Sequence, residues 1–360
     1  MLDSQPKTAV IFDPYLDTLG GGERYTLTVA QTLLNQGYQV ILAWRDQATL
    51  KQAITRFGLP LEGLELSAEY YNLFSQKNSI LSRFSALKDI DLVFIVSDGS
   101  VPILFGKKTL LHYQVPFTSI NRSVWLNRLK LLSINHIVVN STFTKSVIDR
   151  TLHTTKSIVL YPPIDTTAFT PGKKQPIILN VGRFTSPSHS KRQDVLISAF
   201  KQLVDGGLSD WKLILAGGQT GSDTQLKAFM TQAKGYPIEF EVNPKFDHLR
   251  QLYAHSSIFW HSAGFEVDEV LNPEAVEHFG MSTVEAMAAG CVPVVINKGG
   301  QPEIVTPDTG FLWNTIDELV TQTRRLIGEP EKILELSQNA QRRALDFNTD
   351  RFQTTLMSLT

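Results

Sequence analysis

Two carboxylates, Glu277 and Glu285, stand eight residues apart in the stretch EHFGMSTVEAMAAG, residues 277–290. Ser282 and Thr283 suit the cap of a helix, so a small apolar helix is expected to begin there with Glu285 in its first turn. The N–H groups from Gly280 through Met281 and Ser282 to Thr283 would then point outward, ready for a phosphate. Glu285, beside them, could accept hydrogen bonds from ribose hydroxyls. Glu277, outside the helix, would face whatever is attached beyond the phosphates. A favourable first-turn charge and a solvent-facing loop residue would account for the same pair without chemistry.

Other residues extend this pattern. Arg183 closes the apolar run PIILNVGR, and Lys191 and Arg192 follow a polar loop just before a helical stripe. Arginine through its fork and lysine as a point charge suit a diphosphate at such a place. Gly20, Gly21 and Gly22 precede a helix expected to start near Tyr25, and bare glycine backbone at a helix entrance lets phosphate approach. The dinucleotide fingerprint would need a glycine where Tyr25 stands, which disfavours NAD; a tight turn without a ligand is the plainer account of the triplet. His112 ends the run KTLLHYQ, at the carboxyl end of a strand. No Asp-x-Asp metal motif stands at a strand end, and no cofactor is expected.

Elements that could position these residues alternate along the chain. TAVIF, YQVILAW, LVFIVSD, KTLLHYQ, HIVVNS and SIVLYPP read as strands in the first half. PIILNVGR, WKLILAGG, IEFEV, SSIFWHS and VPVVIN do so in the second. Most are continuous apolar runs, as parallel strands covered on both faces require. Between two of them, Leu196, Ala199, Phe200 and Leu203 form a helical stripe. Strands alternating with helices predict α/β doubly wound sheets. Residues 161–176 are rich in proline and polar residues and read as a linker. Two Rossmann-like domains are therefore expected, 1–162 and 176–346, with ligands at the carboxyl ends of strands.

The 360 residues suffice for two cores, and 42% hydrophobic with 19% charged residues is the composition of a globular protein. No signal segment and no bilayer-spanning apolar run is read, and Cys291 is the only cysteine. A cytoplasmic protein with a buried, inert thiol is expected. The net charge is −1, yet residues 107–156 carry eight basic residues against one acidic residue, Asp149. That stretch is either solvated surface or a patch for phosphate or anionic lipid, the latter implying peripheral contact with the inner face of a membrane. Within it, Ile120–Leu132 is apolar over a broad arc, with Arg122 and Lys130 on the other side; it would lie on a membrane or pack on its own sheet.

Taken together, these segments resemble family 4 retaining glycosyltransferases, which have the two-domain GT-B fold with a central cleft. Glu277-x7-Glu285 within EHFGMSTVEAMAAGCVPVV is similar to their signature. GGGERY resembles their glycine-rich loop, especially in mannosyltransferases of lipid-linked oligosaccharide assembly. LHYQVP, VGRF…HSKRQDVLISAF, VNSTFTKSVI, GGQPEIV and RALDFNTDRF fit as well, in the expected order. The resemblance implies that Arg183 and Lys191 hold a donor diphosphate and that Glu285 binds its ribose. Glu277 would contact the transferred sugar, His112 would lie against it, and Gly20–Gly22 would line the phosphate or acceptor side. Residues 347–360 would cross back onto the first domain. The implied partners are a nucleotide-sugar, with GDP-mannose favoured over UDP-sugars, and a glycan or lipid-linked acceptor, not nucleic acid.

Two departures stand out. Arg183 and Lys191 are eight apart, so FTSPSHS is an insertion, and either Lys191 or Arg192 could be the phosphate ligand; the resemblance favours Lys191. The acidic stretch GFEVDEVLNPEAV, residues 264–276, would be a lid or an acceptor-specific loop. A nucleotide-sugar 2-epimerase and a donor-binding protein without turnover are the alternatives. The carboxylate spacing argues against the first, and the intact set of Glu277, Glu285, Arg183 and His112 against the second.

Overall fold

The computed structural model describes residues 6–120, 124–184, 190–219 and 221–360. The chain divides into two compact units, Met1–Pro163 with Asp350–Thr360, and Ile164–Thr349.

The first unit is built on seven strands: β1 Thr8–Phe12, β2 Gln39–Leu42, β3 Glu65–Leu66, β4 Leu92–Val96, β5 Lys108–Tyr113, β6 His136–Val139 and β7 Ser157–Val159. They pair in the order β3-β2-β1-β4-β5-β6-β7, all parallel. Helices α1 Gly21–Asn35, α2 Gln47–Phe57, α3 Ala68–Ser75, α4 Ile80–Leu87, α5 Val124–Leu131 and α6 Thr142–Leu152 make the crossovers. Successive side chains of a strand point to opposite faces, and both faces here are covered. Ala9, Ile11 and Phe94 pack with α1, and Val10, Val93 and Ile95 with Leu73 and Leu87 of α3 and α4. Continuous apolar strands are what that burial demands.

The second unit repeats the plan with six parallel strands. These are β8 Gln175–Val181, β9 Lys212–Gly217, β10 Ile238–Val242, β11 Ser256–His261, β12 Val292–Ile296 and β13 Phe311–Trp313, ordered β10-β9-β8-β11-β12-β13. Its helices are α7 Gln193–Asp205, α8 Thr224–Ala233, α9 Phe246–His255, α10 Met281–Ala288, α11 Gln301–Ile304, α12 Ile316–Gly328 and α13 Pro330–Ala344. The last helix, α14 Thr349–Met357, returns to the first unit, where Phe352, Leu356 and Leu359 join the core around Tyr25. Phe352 meets Tyr25 edge-on at 5.1 Å.

All eleven strand readings correspond to strands; β3 and β13, of two and three residues, went unread. Two helix starts lie earlier than expected. Helix α1 begins at Gly21, so Gly21 and Gly22 are its first two residues and Gly20 its cap. Helix α10 begins at Met281 with Gly280 as its cap, at φ 122 and ψ 54, a conformation closed to residues with a Cβ. Thr283 does not cap it; its hydroxyl is buried and donates to Gln301 Oε1 at 2.9 Å. Cys291 is buried, as expected. Most of the FTSPSHS insertion, and Arg122, lie outside the described residues.

Candidate active site

In each sheet the strand order reverses at one point, between β1 and β4 in the first unit and between β8 and β11 in the second. Crevices outside the carboxyl ends of strands at such points are where open α/β sheets take ligands. In the second unit, β8 delivers Arg183 and β11 ends at His261. Lys191, Glu277 and Glu285 converge on the same end.

Glu277 is the centre of that group. Its Oε2 lies 2.6 Å from Lys191 Nζ and 3.0 Å from His261 Nε2. Lys191 and Glu277 are partly shielded, their side chains 17% and 19% exposed, so the pair is held in a medium that strengthens it without closing it off. Lys191 runs over Gly182, where an added Cβ would sit 3.1 Å from its Cγ. Ser262 Oγ donates to the carbonyls of Lys191 and Arg192, each at 2.9 Å, which fixes the backbone that presents the lysine.

Arg192 is engaged elsewhere. Its guanidinium binds Asp194 through Nε and Nη2, donates to Phe265 O at 2.9 Å, and reaches Glu266 at 3.4 Å. It caps α7 at φ 53. Of the two cations left open by the sequence, only Lys191 stands on Glu277. The acidic stretch 264–276 is tied down through Arg192 and through Glu269, which accepts from Gly299 N at 2.7 Å, and Lys298 Nζ donates to Val267 O at 2.6 Å.

Gly299 and Gly300 of GGQPEIV press on the loop that carries Glu277. Gly300 N donates to Glu277 O at 2.8 Å. A Cβ on Gly299, at φ 60, would lie 2.1 Å from that carbonyl oxygen. Gly299→Ala is therefore expected to cost at least about 1–2 kcal/mol from the left-handed backbone alone, and to shift Glu277 as well. Urea melts paired with nucleotide titration check this: a variant of unchanged stability and affinity would refute it.

At α10, Met281 and Ser282 are half-buried, and their N–H groups belong to the first turn, whose donors have no partner within the helix. Glu285, one turn on, accepts from Tyr253 Oη at 3.0 Å. Arg183 is exposed, and its side chain makes no hydrogen bond or ion pair with another described residue. Five of the expected groups, Arg183, Lys191, Glu277, the α10 start and Glu285, thus lie in the second unit at the carboxyl end of its sheet.

The family model for glycosyl transferases group 1 matches residues 165–343. The second unit is a group 1 glycosyltransferase domain. Among curated proteins, the chain is 27% identical over 244 residues to a GDP-Man:Man(3)GlcNAc(2)-PP-Dol alpha-1,2-mannosyltransferase of Xenopus laevis, a match covering 62% of this chain and 47% of the relative. The chain spans about half the length of the curated relatives of this kind that it matches first. Its fold aligns with a glycosyltransferase from Rickettsia africae at TM-score 0.76 and 18% identity, over 99% of this chain and 98% of the other. It aligns with Anabaena HepE in complex with UDP at TM-score 0.72 and 17% identity, over 98% of each. The fold is GT-B.

His261 of the group 1 domain was missed in the sequence. It ends SSIFWHS as His112 ends KTLLHYQ, so the strand-end argument applied to one histidine would have found the other. His261 is buried and its Nδ1 has no partner among the described residues.

The remaining residues belong to the first unit. Gly22 packs against Gln114, where an added Cβ would overlap Oε1, and the Glu23 carboxylate accepts from Gly20 N, holding the start of α1. His112 is completely buried, stacked on Tyr25 at 4.3 Å and 7°. Its Nδ1 faces Val138 O at 3.2 Å and so carries the proton, which leaves Nε2 a bare acceptor without a partner among the described residues. Burial, opposed only by that bond, lowers its pKa to about 3, so the ring is neutral near pH 7. His112 is thus an acceptor and not a charged group. Asp13, at the end of β1, was also missed. It is buried, takes Thr26 Oγ1 at 2.6 Å and Tyr15 N at 2.9 Å, and burial raises its pKa to about 6.

Proposed function

We propose that the protein transfers a sugar from a nucleotide-sugar, GDP-mannose in the favoured reading, to an acceptor hydroxyl with retention of anomeric configuration. The observation that carries this is the Lys191–Glu277–His261 cluster at the carboxyl ends of β8 and β11, beside the first turn of α10. In this reading Arg183, Lys191 and the N–H groups of Gly280, Met281 and Ser282 meet the donor diphosphate, and Glu285 binds the ribose. As the bond between C1 and the phosphate oxygen breaks, charge builds on the diphosphate, where fixed donors act most strongly. The acceptor oxygen bonds C1 on the same face and its proton passes to the departing phosphate. These donors would supply the leaving-group stabilisation without a divalent ion. Glu277 positions Lys191 and presents a carboxylate to the sugar. His112 Nε2 accepts from a sugar hydroxyl, and Gly20–Gly22 line the phosphate or acceptor side. The relatives named for a PP-Dol-linked oligosaccharide support a lipid-linked acceptor, and the basic excess of residues 107–156 supports membrane contact there.

Calorimetric titration with GDP, UDP and ADP, with and without Mg²⁺, tests the donor site. Saturable GDP binding, unchanged by Mg²⁺ and lost in Glu285→Ala, is expected. Binding of UDP alone would overturn the choice of base, and binding of none by folded protein would overturn the transferase reading. Incubation with GDP-mannose and NMR of the product's anomeric proton then reads retention or inversion.

A further inference from the structure

At the switch point of the first unit, a cavity of about 680 Å³ opens outside the ends of β1 and β4. Apolar walls come from Phe12, Phe74, Pro102 and Phe105, and two cations, Arg83 of α4 and Lys130 of α5, line it. That size and mixture, largely apolar with a few polar groups, is typical of a small-molecule pocket. Arg83 Nε is buried at this wall and has no hydrogen-bond partner among the described residues. Lys130 Nζ is anchored on Val101 O at 2.9 Å. The one carboxylate in the lining, Asp98, accepts from Ser100 N and Oγ.

Both helices that supply these cations expose apolar residues. On α4, Ile80 lines the cavity and is 58% exposed, Leu81 is 79% exposed, and Phe84 packs edge-on against Phe105 while staying 48% exposed. On α5 and just beyond it, Trp125, Leu126, Leu129 and Leu132 are all exposed, Trp125 at 67%. A tryptophan beside leucines and basic residues is the composition of a helix lying in a membrane interface. Lys77, just before α4, and Arg128, within α5, are exposed and carry the charge that an anionic surface attracts. Scattered single apolar residues would need no explanation, but two helices that each line one pocket with a cation and each expose several apolar residues do.

We propose that the first unit docks on an anionic bilayer through α4 and α5, and that the cavity between them takes the phosphate-bearing head of one lipid. The phosphate pairs with Arg83 and Lys130, and the acyl chains leave over Ile80, Leu81 and Phe84. The docking surface is thereby larger than the basic stretch 107–156, since α4 lies outside it. Only the further step, that this lipid carries the acceptor hydroxyl, rests on the transferase reading.

The test is co-sedimentation of the full chain with vesicles of phosphatidylcholine and of its equimolar mixture with phosphatidylglycerol. Binding to the anionic vesicles only is expected. Leu81→Glu with Phe84→Glu should weaken it by at least about tenfold, and Arg83→Gln by about fivefold, the worth of one basic residue at an anionic surface. Monomeric dihexanoyl-phosphatidylglycerol isolates the cavity: it should bind the parent chain, bind Arg83→Gln more weakly, and not be displaced by inorganic phosphate. No vesicle binding, equal binding of both vesicle types, or full binding by the α4 double variant overturns the docking. Unchanged short-chain lipid binding in Arg83→Gln overturns the cavity assignment. GDP titration of the same samples reports separately on the donor site, so failure of lipid binding with GDP binding intact sinks this inference and leaves the transferase reading standing.

Discussion

Glu277→Gln is expected to slow sugar transfer by about 10²–10³-fold, the size of effect seen when one preorganised electrostatic group is removed, while nucleotide affinity holds or improves slightly. The geometry gives the reason. Glu277 Oε2 holds both Lys191 Nζ and His261 Nε2, so the carboxylate fixes a cation and a ring at once. Glutamine is nearly the same shape and keeps an oxygen that can accept one of the two bonds. It loses the charge that orders Lys191 and that faces the sugar. The lysine, no longer neutralised by a carboxylate, still attracts a diphosphate.

The control is Lys191→Ala, which should weaken nucleotide binding and transfer together. Removing the lysine deprives the diphosphate of a donor in the ground state and in the transition state alike. Initial rates with saturating GDP-mannose, alongside calorimetry with GDP, separate the two variants. Equal losses of affinity and rate in Glu277→Gln would place Glu277 in nucleotide binding and refute the positioning role. His261→Gln belongs in the same set: a lower kcat at unchanged KM is expected if the ring acts through Glu277.

Much of this site was legible because parallel sheets write their strands as unbroken apolar runs. The residues just after PIILNVGR and SSIFWHS are then forced to the carboxyl ends of β8 and β11. What could not be read has physical causes. Helix α10 starts at Met281 because its cap, Gly280, sits at φ 122, which suits glycine, whereas propensity reads Ser282 and Thr283 as the cap. Thr283 is spent on Gln301, a contact eighteen residues away that local sequence does not encode. The division of labour between Lys191 and Arg192 depends on Phe265 and Glu266, more than seventy residues on. Strands β3 and β13 are too short to carry a period. Asp13 and His261 are different: both stand at strand ends in plain view, and the argument used for His112 applies to each.

The second large effect concerns acid stability of the first unit. His112 has a folded pKa lowered to about 3, against an ordinary histidine value of 6.5, with burial as the cause. A base depressed in the folded state contributes stability in full above its unfolded pKa and loses it as pH falls. From pH 6.5 to pH 3 the loss is about 1.4 kcal/mol per unit, about 5 kcal/mol in all, comparable with the whole stability of a small domain. Asp13 works the other way. Its folded pKa is raised to about 6, chiefly by burial, so its contribution is greatest below 3.8 and is lost as pH rises to 6. On acidification from pH 6 to about 4 the two slopes nearly cancel; below that only His112 continues. The first unit is therefore expected to keep an almost constant stability down to pH 4 and then to fail steeply. Asp13→Asn should expose the histidine slope from pH 6.5 downward, and His112→Phe should leave a unit that gains stability between pH 6 and 4. Urea melts of the parent and both variants across this range decide it, and parallel pH profiles for all three would show that neither buried group titrates as described.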